Sequence, residues 1–486
     1  MDQLSGVSSA WLWLDGRSLL LFTLVVLVTA EYLRARRPSG FPPGPWPFPL
    51  VGNMFSLDPS NLAEKYGKVY SLKMGPLWSV VLNGLSAVQE GLAEGDYANG
   101  RPDFAIHSDV LFFSNGHSWK QQRRFALITL KYFGVGKKSL ESSILEEFIH
   151  ASKEIASHEG KPFKPNVLMR NAVSNIICAL VFGHRFEYSN EKFQKMLTLL
   201  DNGTRIEASI WAQMYNAFPV LMRRLPGPHR TLQGIYGEIL DLIKTEVDQH
   251  REDFNPSEPR DFIDCYLNEM EKVGRQNDQT DNLLMCSFDL FGAGTETTST
   301  TLLWAFLYMA KYPEIQAKVQ AEIDRVIGQS RQPSMKDRAN LPYTDAVIHE
   351  VQRIGNIVPL SLPHITSRDV QLGGYTIPKG VTIIPNLTSV LLDKNEWETP
   401  DTFNPGHFLN AEGKFVKPAA FIPFSAGKRL CLGENLARME LFLFFSSFMQ
   451  RFSWSMPAGV EPLLKPRFGI TLSPEPYEIC AISHHH

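Results

Sequence analysis

The spacing of apolar residues predicts a chain built mostly from helices. Apolar positions three and four residues apart recur in residues 312–328 and 343–355, as in helices that bury one face. Residues 283–311 and 434–451 are apolar on most sides and predict two long buried helices. Helix is therefore the main element of the expected fold.

Strand patterns occupy two shorter parts of the chain. Residues 68–74 and 78–84 flank Gly75 and Pro76 and predict a hairpin. Residues 370–386 form a second β-rich patch. We expect a mainly α fold with a smaller β part, in a single large domain, because no repeat or long linker divides the chain after residue 50.

The N-terminus is more apolar than the rest of the chain. Residues 11–30 form a mostly apolar run that is followed at once by Arg34, Arg36 and Arg37. A cleaved signal peptide would have a charged start and a shorter apolar run, and a buried core helix would not precede such a flank. We expect a transmembrane signal-anchor over residues 1–33, with its basic flank in the cytosol.

Proline and glycine separate this segment from the body. Five prolines between positions 42 and 49 exclude helix and favour a stiff, extended spacer. The expected divisions are the anchor at 1–33, a basic and proline-rich hinge at 34–49, one large globular domain at 50–483 and a histidine tag remnant at 484–486.

Composition narrows the class of protein. The chain has 486 residues, of which 44% are hydrophobic, and a net charge of -3, which indicates a globular protein with a large core and no nucleic-acid partner. Its five cysteines are scattered and lack CxxC spacing, so neither a disulfide framework nor a zinc site is supported.

One of these cysteines lies in an unusual setting. A buried free cysteine is most often a small hydrophobe. Cys431, however, is flanked by Gly427 and Gly433, where the backbone can approach a flat ligand closely, and Arg429 supplies donors suited to a carboxylate. The cysteine also precedes the helix predicted at 434–451, whose N-terminal end should favour a thiolate. A thiolate beside a flat, carboxylate-bearing ligand suggests haem.

The same loop carries a recognisable motif. Phe424, Gly427, Arg429, Cys431 and Gly433 match the FxxGxRxCxG loop, and the chain thereby resembles the cytochrome P-450 superfamily. The resemblance implies the P-450 fold as a single large haem domain, with haem b as cofactor. It also implies that Cys431 is the axial thiolate ligand of the iron, with the rest of the motif around the haem.

The helix predicted at 283–311 contains the segment AGTETT, in which an acid and an alcohol, Glu296 and Thr297, are adjacent. Taken alone, these residues could be a solvent-facing glutamate beside a threonine bonded to its own helix. The residues on both sides of this segment are apolar, so a solvent-exposed helix face does not explain Glu296 and Thr297. By resemblance, Gly294 would widen a groove for dioxygen, and Glu296 with Thr297 would deliver protons through water.

Two further motifs concern the proximal side of the haem. Glu350 and Arg353 lie three apart on a predicted helix, where they could be an ordinary surface ion pair. The resemblance implies instead a buried pair that supports the cysteine loop, with His407 in the place where the family pattern has an arginine. We expect this third partner to be weaker or pH-sensitive.

Trp119 and Arg123 match the WxxxR motif. Without the other motifs they would be an ordinary core aromatic and a solvated charge. With them, the resemblance implies that Trp119, Arg123, Arg429 and His364 contact the haem propionates.

The resemblance extends along the whole chain and is nearest to vertebrate microsomal family-two enzymes, in the branch that oxidises polyunsaturated fatty acids and drugs. It implies an NADPH-dependent monooxygenase that hydroxylates or epoxidises lipophilic substrates at the cytosolic face of the endoplasmic reticulum membrane. Two other hypotheses are a fatty-acid peroxide isomerase of the same fold, whose members tend to lack the acid and alcohol pair, and a haem- or lipid-binding protein without turnover.

Electrons must come from a partner, because the sequence contains no GxGxxG dinucleotide fingerprint or flavin domain. The resemblance implies NADPH–cytochrome P-450 reductase, which would hold the NADPH and flavin, with cytochrome b5 as a second candidate donor. A basic docking face is expected from residues clustered near the haem motifs, which are Lys120, Arg124, Lys131, Lys137, Lys138 and Lys428.

Matching of family segments also implies a substrate pocket of apolar or small residues, suited to a lipophilic molecule taken from membrane lipid. Its expected members are Ile106, Phe112, Phe113, Ile206, Ile210, Phe291, Ala293, Thr297, Leu360, Leu362, Ile470 and Thr471.

Overall fold

Helices form most of the protein in the computed structural model, which describes residues 16–34, 36–54, 59–93, 100–102, 111–136, 138–273 and 279–484. The α-helices are α1 (Gly16–Arg34), α2 (Pro59–Tyr66), α3 (Leu85–Ala93), α4 (Gly116–Tyr132), α5 (Lys138–Ser157), α6 (Pro165–Val181), α7 (Glu191–Glu207), α8 (Ile210–Ala217), α9 (Pro219–Met222), α10 (Pro228–Glu252), α11 (Phe262–Val273), α12 (Thr280–Lys311), α13 (Pro313–Val326), α14 (Pro342–Gly355), α15 (Thr388–Leu391) and α16 (Glu434–Arg451). Short 3-10 helices cover Asp337–Asn340, Pro405–Phe408 and Gly427–Arg429.

Local sequence explains where several helices begin and end. Proline occupies the first position of α6, α13 and α14. An N–H at this position would have no partner within the helix, so its absence in proline costs no hydrogen bond. The side chain of Asn190 caps α7 by accepting the Phe193 N–H at 2.9 Å. α14 ends at Asn356, which adopts the left-handed conformation with φ of 40°.

The β part consists of small sheets. The strands are β1 (Val69–Met74), β2 (Leu77–Leu82), β3 (His364–Ile365), β4 (Val370–Leu372), β5 (Tyr375–Ile377), β6 (Thr382–Pro385), β7 (Phe452–Ser455), β8 (Pro466–Arg467), β9 (Ser473–Pro474) and β10 (Cys480–Ser483). The largest sheet has the order β1-β2-β6-β3, in which β1 and β2 form the predicted hairpin and β2 runs parallel to β6. The patch at 370–386 is therefore divided between the β4–β5 hairpin and this sheet.

Helix α12 runs through the main hydrophobic core. Its second half, from Leu302 to Met309, is buried without interruption, and the Phe306 ring stacks on Trp454 at a centroid distance of 4.2 Å. α16 is buried almost throughout as well. A second core lies between the large sheet and the segment around Phe408 and Phe421. α12 and α16 thus contribute to the main hydrophobic core, as their sequences predict.

The proline-rich segment packs against the body. The Ser71 N–H donates to the Pro43 carbonyl at 2.7 Å, and the Ser71 hydroxyl donates to the Pro42 carbonyl at 2.8 Å. Phe41 is buried in the second core. Extended backbone without helix is as expected, and from Phe41 onward it lies along β1.

The expected membrane anchor falls only partly on described residues, since residues 1–15 lie outside them. α1 exposes a run of leucine and valine side chains between Leu19 and Leu27. Among the helices that the structure describes, none combines the length and apolarity needed to span a membrane.

Candidate active site

Cys431 lies on a loop between the 3-10 helix Gly427–Arg429 and α16. Its N–H donates to the Phe424 carbonyl at 3.1 Å, and its side chain is exposed. The backbone N–H groups of Gly433 and Glu434 donate to the Cys431 sulfur. The loop therefore presents a sulfur that is already oriented by the start of the helix.

Without haem, the effect of the helix start on the Cys431 thiol is outweighed by desolvation. Although the residue as a whole is exposed, surrounding protein desolvates the sulfur. This desolvation, with a smaller addition from the charge of Glu434, raises the pKa of the Cys431 thiol above its ordinary value of 9.0. The opposing effects of the two backbone N–H groups and of Arg123 are smaller. A coordinated metal deprotonates its thiol ligand directly, so ligation rather than the helix end would produce the thiolate.

Gly427 fixes how this loop docks on the protein. Its φ is +72°, and a Cβ at this position would lie 2.2 Å from the Leu92 carbonyl oxygen of α3. Both features exclude a side chain and explain the glycine by its contact with α3, while the close approach to a flat ligand stays a prediction.

Trp119, Arg123 and Arg429 meet beside the cysteine loop. The Arg429 guanidinium carbon lies 3.6 Å from the centroid of the Trp119 ring, and Arg123 lies 5.9 Å from the same centroid. Arg123 also donates to the Leu430 carbonyl at 2.5 Å, directly before Cys431. Two residues on α4 and one on the loop thus come together, as the motifs predict.

A third arginine, which belongs to none of the sequence motifs, joins this group. Arg101 is buried and donates through Nη1 to the Leu362 and Pro363 carbonyls at 2.7 and 2.8 Å. Burial first, and then the charges of Arg429 and Arg123, lower the pKa of Arg101 to about 9. Its position a few residues before Ile106, Phe112 and Phe113, which are expected to line the pocket, was the signal that could have identified it.

Burial likewise lowers the pKa of Arg429 to about 10, with a further contribution from Arg123. In the described part of the chain, the guanidinium groups of Arg101 and Arg123 donate only to carbonyl oxygens. Three mutually repelling cations beside the Cys431 sulfur suit a ligand that carries carboxylates and a thiolate-binding metal. The residues present therefore fit haem, with its two propionates.

His364 and Phe424 are the other expected haem neighbours. His364 opens β3, is 1% exposed and lies next to Pro363, whose carbonyl accepts from Arg101. Phe424 accepts the Arg438 guanidinium over its ring at 5.2 Å, and Arg438 is paired with Glu434 at the start of α16. His364 thus borders the arginine group, and Phe424 borders the cysteine loop.

Glu350 and Arg353 form a fully buried pair on α14. Both side chains are 0% exposed, and the two nitrogen–oxygen contacts are each 2.7 Å. Arg353 also donates to the carbonyls of Leu391, Pro400 and Thr402. This is an anchor for the chain between α14 and the cysteine loop and not a surface ion pair.

His407 completes this group. Its Nε2 accepts the Thr399 N–H at 3.2 Å, so the ring proton lies on Nδ1, which donates to Glu350 at 3.2 Å. The expected third partner is present, and its hydrogen bond does not require a charged ring.

Glu296 and Thr297 lie on α12. Thr471 donates its hydroxyl to Glu296 Oε1 at 2.9 Å, whereas Oε2 is buried and has no hydrogen-bond partner among the described residues. The Thr297 hydroxyl donates to the Ala293 carbonyl at 2.8 Å. The threonine is thus bonded to its own helix, but the glutamate is not a solvent-facing side chain.

Gly294 has a packing role in this structure. A Cβ there would lie 3.1 Å from Ile177 on α6, which is closer than most side-chain contacts. The missing side chain lets α6 and α12 approach each other, and the oxygen groove expected at this position stays a prediction.

The expected substrate residues are not all in one environment. Ile106 lies outside the described residues, and Phe291 is fully buried with its ring centroid 6.3 Å from that of Phe182. Ile210, Leu360 and Ile470 are exposed by about two fifths. The partly buried members are Phe112, Phe113, Ile206, Ala293, Thr297 and Leu362. Thr471, another expected member, donates a hydrogen bond to the acid of α12.

Comparison with known proteins agrees with this geometry. The sequence profile described as Cytochrome P450 matches residues 42–481. The chain is 50% identical to human Cytochrome P450 2J2, and the aligned region covers 98% of each protein. It is 47% identical to Cytochrome P450 2J3 of Rattus norvegicus over 98% of each protein, and 45% identical to human Cytochrome P450 2D6 over 94% of this chain and 96% of that protein.

Proposed function

Because the chain belongs to the cytochrome P450 family and is a haem-thiolate monooxygenase, we propose that it oxidises polyunsaturated fatty acids and lipophilic xenobiotics. The observation that supports the reaction is that Cys431 lies beside the buried Arg101 and Arg429 and the half-buried Arg123. The proposal for the substrate is supported by the apolar and small side chains expected to line the pocket, which select by shape and not by charge.

Different residues of the chain would bind different parts of the cofactor. Cys431 Sγ would bind the haem iron, and Arg101, Arg123 and Arg429 would neutralise the propionates. Bound haem supplies the activation of dioxygen and the insertion of one oxygen atom, while the second oxygen leaves as water. Glu350, Arg353 and His407 support the backbone that leads to the cysteine loop.

We further propose that Glu296 and Thr297 manage the protons that this reaction consumes. Glu296 Oε2 is the oxygen that would hold the proton, because Oε1 is already bonded to Thr471. The Thr297 hydroxyl oxygen keeps free acceptor capacity while its proton points to Ala293, so it can order a water between the two side chains.

Electrons are proposed to arrive from NADPH through the microsomal reductase at a face formed by α4. Lys120, Arg124 and Lys131 lie on this helix, whereas Lys137 lies outside the described residues. An open groove of about 400 Å³ on the same helix also exposes Leu127 and Ile128. Basic and apolar groups together suit an acidic partner that docks reversibly, with cytochrome b5 as a second donor.

We propose that the protein resides on the cytosolic face of the endoplasmic reticulum membrane, anchored by residues 1–33. The exposed leucine and valine side chains of α1 support this location, because such a surface is costly in water.

Reconstituted enzyme with purified reductase tests the function directly. Arachidonic acid, linoleic acid and a few lipophilic drugs are incubated with NADPH, and products are identified by mass spectrometry. We expect NADPH-dependent epoxides or alcohols that carry one atom from labelled dioxygen. NADPH-independent conversion of a fatty-acid hydroperoxide, with no oxygenated product from the parent acids, would favour a peroxide isomerase instead.

A further inference from the structure

A hydrogen bond joins the C-terminal part of the chain to the acid of α12. Thr471 is 2% exposed, and its hydroxyl donates to Glu296 Oε1 at 2.9 Å across a sequence separation of 175 residues. The matching of family segments treats Thr471 only as a substrate neighbour. Its contact with Glu296 gives it a different role.

The backbone around Thr471 is held in place independently of this bond. The Trp304 indole N–H donates to the Leu472 carbonyl at 2.8 Å, and the Leu472 N–H donates to the Ile357 carbonyl at 2.8 Å. Trp304 lies on α12, two turns after Glu296, and Ile357 follows α14. Thr471 is therefore presented to Glu296 from a segment bonded on both sides to the helical core.

A hydroxyl is well suited to hold an acid that changes its protonation state. It donates to a carboxylate, and by rotation it can accept from a carboxylic acid. The hydrogen bond to Oε1 can thus persist while Oε2 gains or loses a proton. Oε2 is buried and has no hydrogen-bond partner among the described residues. None of those residues therefore competes for a proton that Oε2 takes up or releases.

We propose that Thr471 is a positioning residue for proton delivery, which holds Glu296 in one orientation so that its second oxygen stays available. The inference rests on the proposed role of Glu296. An acid that is free to rotate would deliver its proton less often in the correct geometry, and reduced oxygen would then leave as peroxide.

The test compares Thr471→Val, which keeps the shape but removes the hydroxyl, with Thr471→Ser, which keeps the hydroxyl. Ser473→Ala is the matched control, because it removes a buried hydroxyl two residues further along the same segment. Product formed per NADPH consumed is measured together with peroxide release. We expect T471V to lower this ratio about fivefold, a fraction of what a full misplacement of a catalytic group costs, and we expect T471S and S473A to stay near the wild-type ratio.

A second readout does not depend on turnover. Infrared spectra of the ferric holoenzyme are recorded for the wild type and for Glu296→Gln, and their difference identifies the band of the Glu296 carboxyl group. We expect T471V to shift this band, because the carboxyl group loses a hydrogen bond, and T471S to leave it in place. Near-equal thermal unfolding midpoints of T471V and S473A establish that the loop is intact; if T471V does not accumulate, Thr471→Ala takes its place in both measurements.

The outcomes separate the two levels of the proposal. A wild-type ratio and an unshifted band in T471V, with uncoupling in E296Q, would overturn the role of Thr471 and leave that of Glu296 standing. If E296Q itself remains fully coupled, the proton role of Glu296 is wrong. A change in KM or product distribution without uncoupling would make Thr471 a substrate contact only.

Discussion

Arg101 illustrates how single side chains define the cofactor site. Its guanidinium is held by three backbone carbonyls, those of Phe112, Leu362 and Pro363. These acceptors orient the guanidinium group but do not neutralise its charge. Repulsion from Arg429 and Arg123 further destabilises the charged form of Arg101. A dianionic ligand relieves all of these repulsions at once.

We therefore expect Arg101→Gln to weaken haem retention. Loss of a charge-assisted hydrogen bond costs about 2 kcal/mol. The rate at which haem is lost to an excess of a haem acceptor should therefore rise about tenfold or more. Arg224→Gln, which removes an exposed arginine, is the control. Equal rates of haem loss in the two variants would exclude Arg101 from the propionate site.

At the scale of elements, the junction of α10 and α11 contains a buried histidine that both helices constrain. His250 Nδ1 lies 2.7 Å from the Glu246 carbonyl, and Nε2 lies 2.8 Å from Asp261. Both partners are acceptors, so both ring nitrogens carry protons. Burial opposes this charge, but the hydrogen bond and negative charge of Asp261 outweigh burial and raise the pKa of His250 above its ordinary 6.5.

This junction should make stability depend on pH. The folded pKa is raised, so the contribution is fully present below about pH 6.5 and is lost as the pH rises through the folded value. We expect the unfolding midpoint of the wild type to fall from neutral to alkaline pH more steeply than that of His250→Gln. The exposed His117→Gln should follow the wild-type curve. Parallel curves for wild type and H250Q would mean that the ring is neutral in the folded protein.

Element boundaries show what the sequence could and could not predict. The helix predicted at 434–451 matches α16, because its apolar face and the preceding glycine are local signals. The β-rich patch at 370–386 could not be divided correctly, because β6 pairs with β2 through residues about 300 positions away. The same distinction holds at the site. Trp119, Arg123, Arg429 and Cys431 form motifs, whereas Arg101 and the bond from Thr471 to Glu296 depend on long-range contacts.

At the scale of the whole molecule, charge is unevenly distributed. The chain has a net charge of -3, yet α4 carries several basic residues beside the cysteine loop. Arg123 of this helix contacts the residue before Cys431, so a partner docked on α4 would lie close to the haem. This placement suits electron transfer from a separate protein.

Reversal of Lys120 and Arg124 to glutamate should therefore slow turnover driven by NADPH and reductase by about fivefold at low salt, with a smaller effect at high salt. Turnover driven by peroxide should not change, because it bypasses the partner. The matched control reverses Arg230 and Lys244 on α10. Equal losses under both regimes would show that the substitutions disturb the site itself and not the docking.

The backbone conformation of Gly427 also bears on inherited variation. Every other amino acid carries a Cβ, which here would meet the Leu92 carbonyl oxygen at 2.2 Å. No missense change of this codon is conservative, whatever the chemistry of the new side chain. Individuals who inherit such an allele should lack the pigmented enzyme even when the messenger RNA is expressed normally.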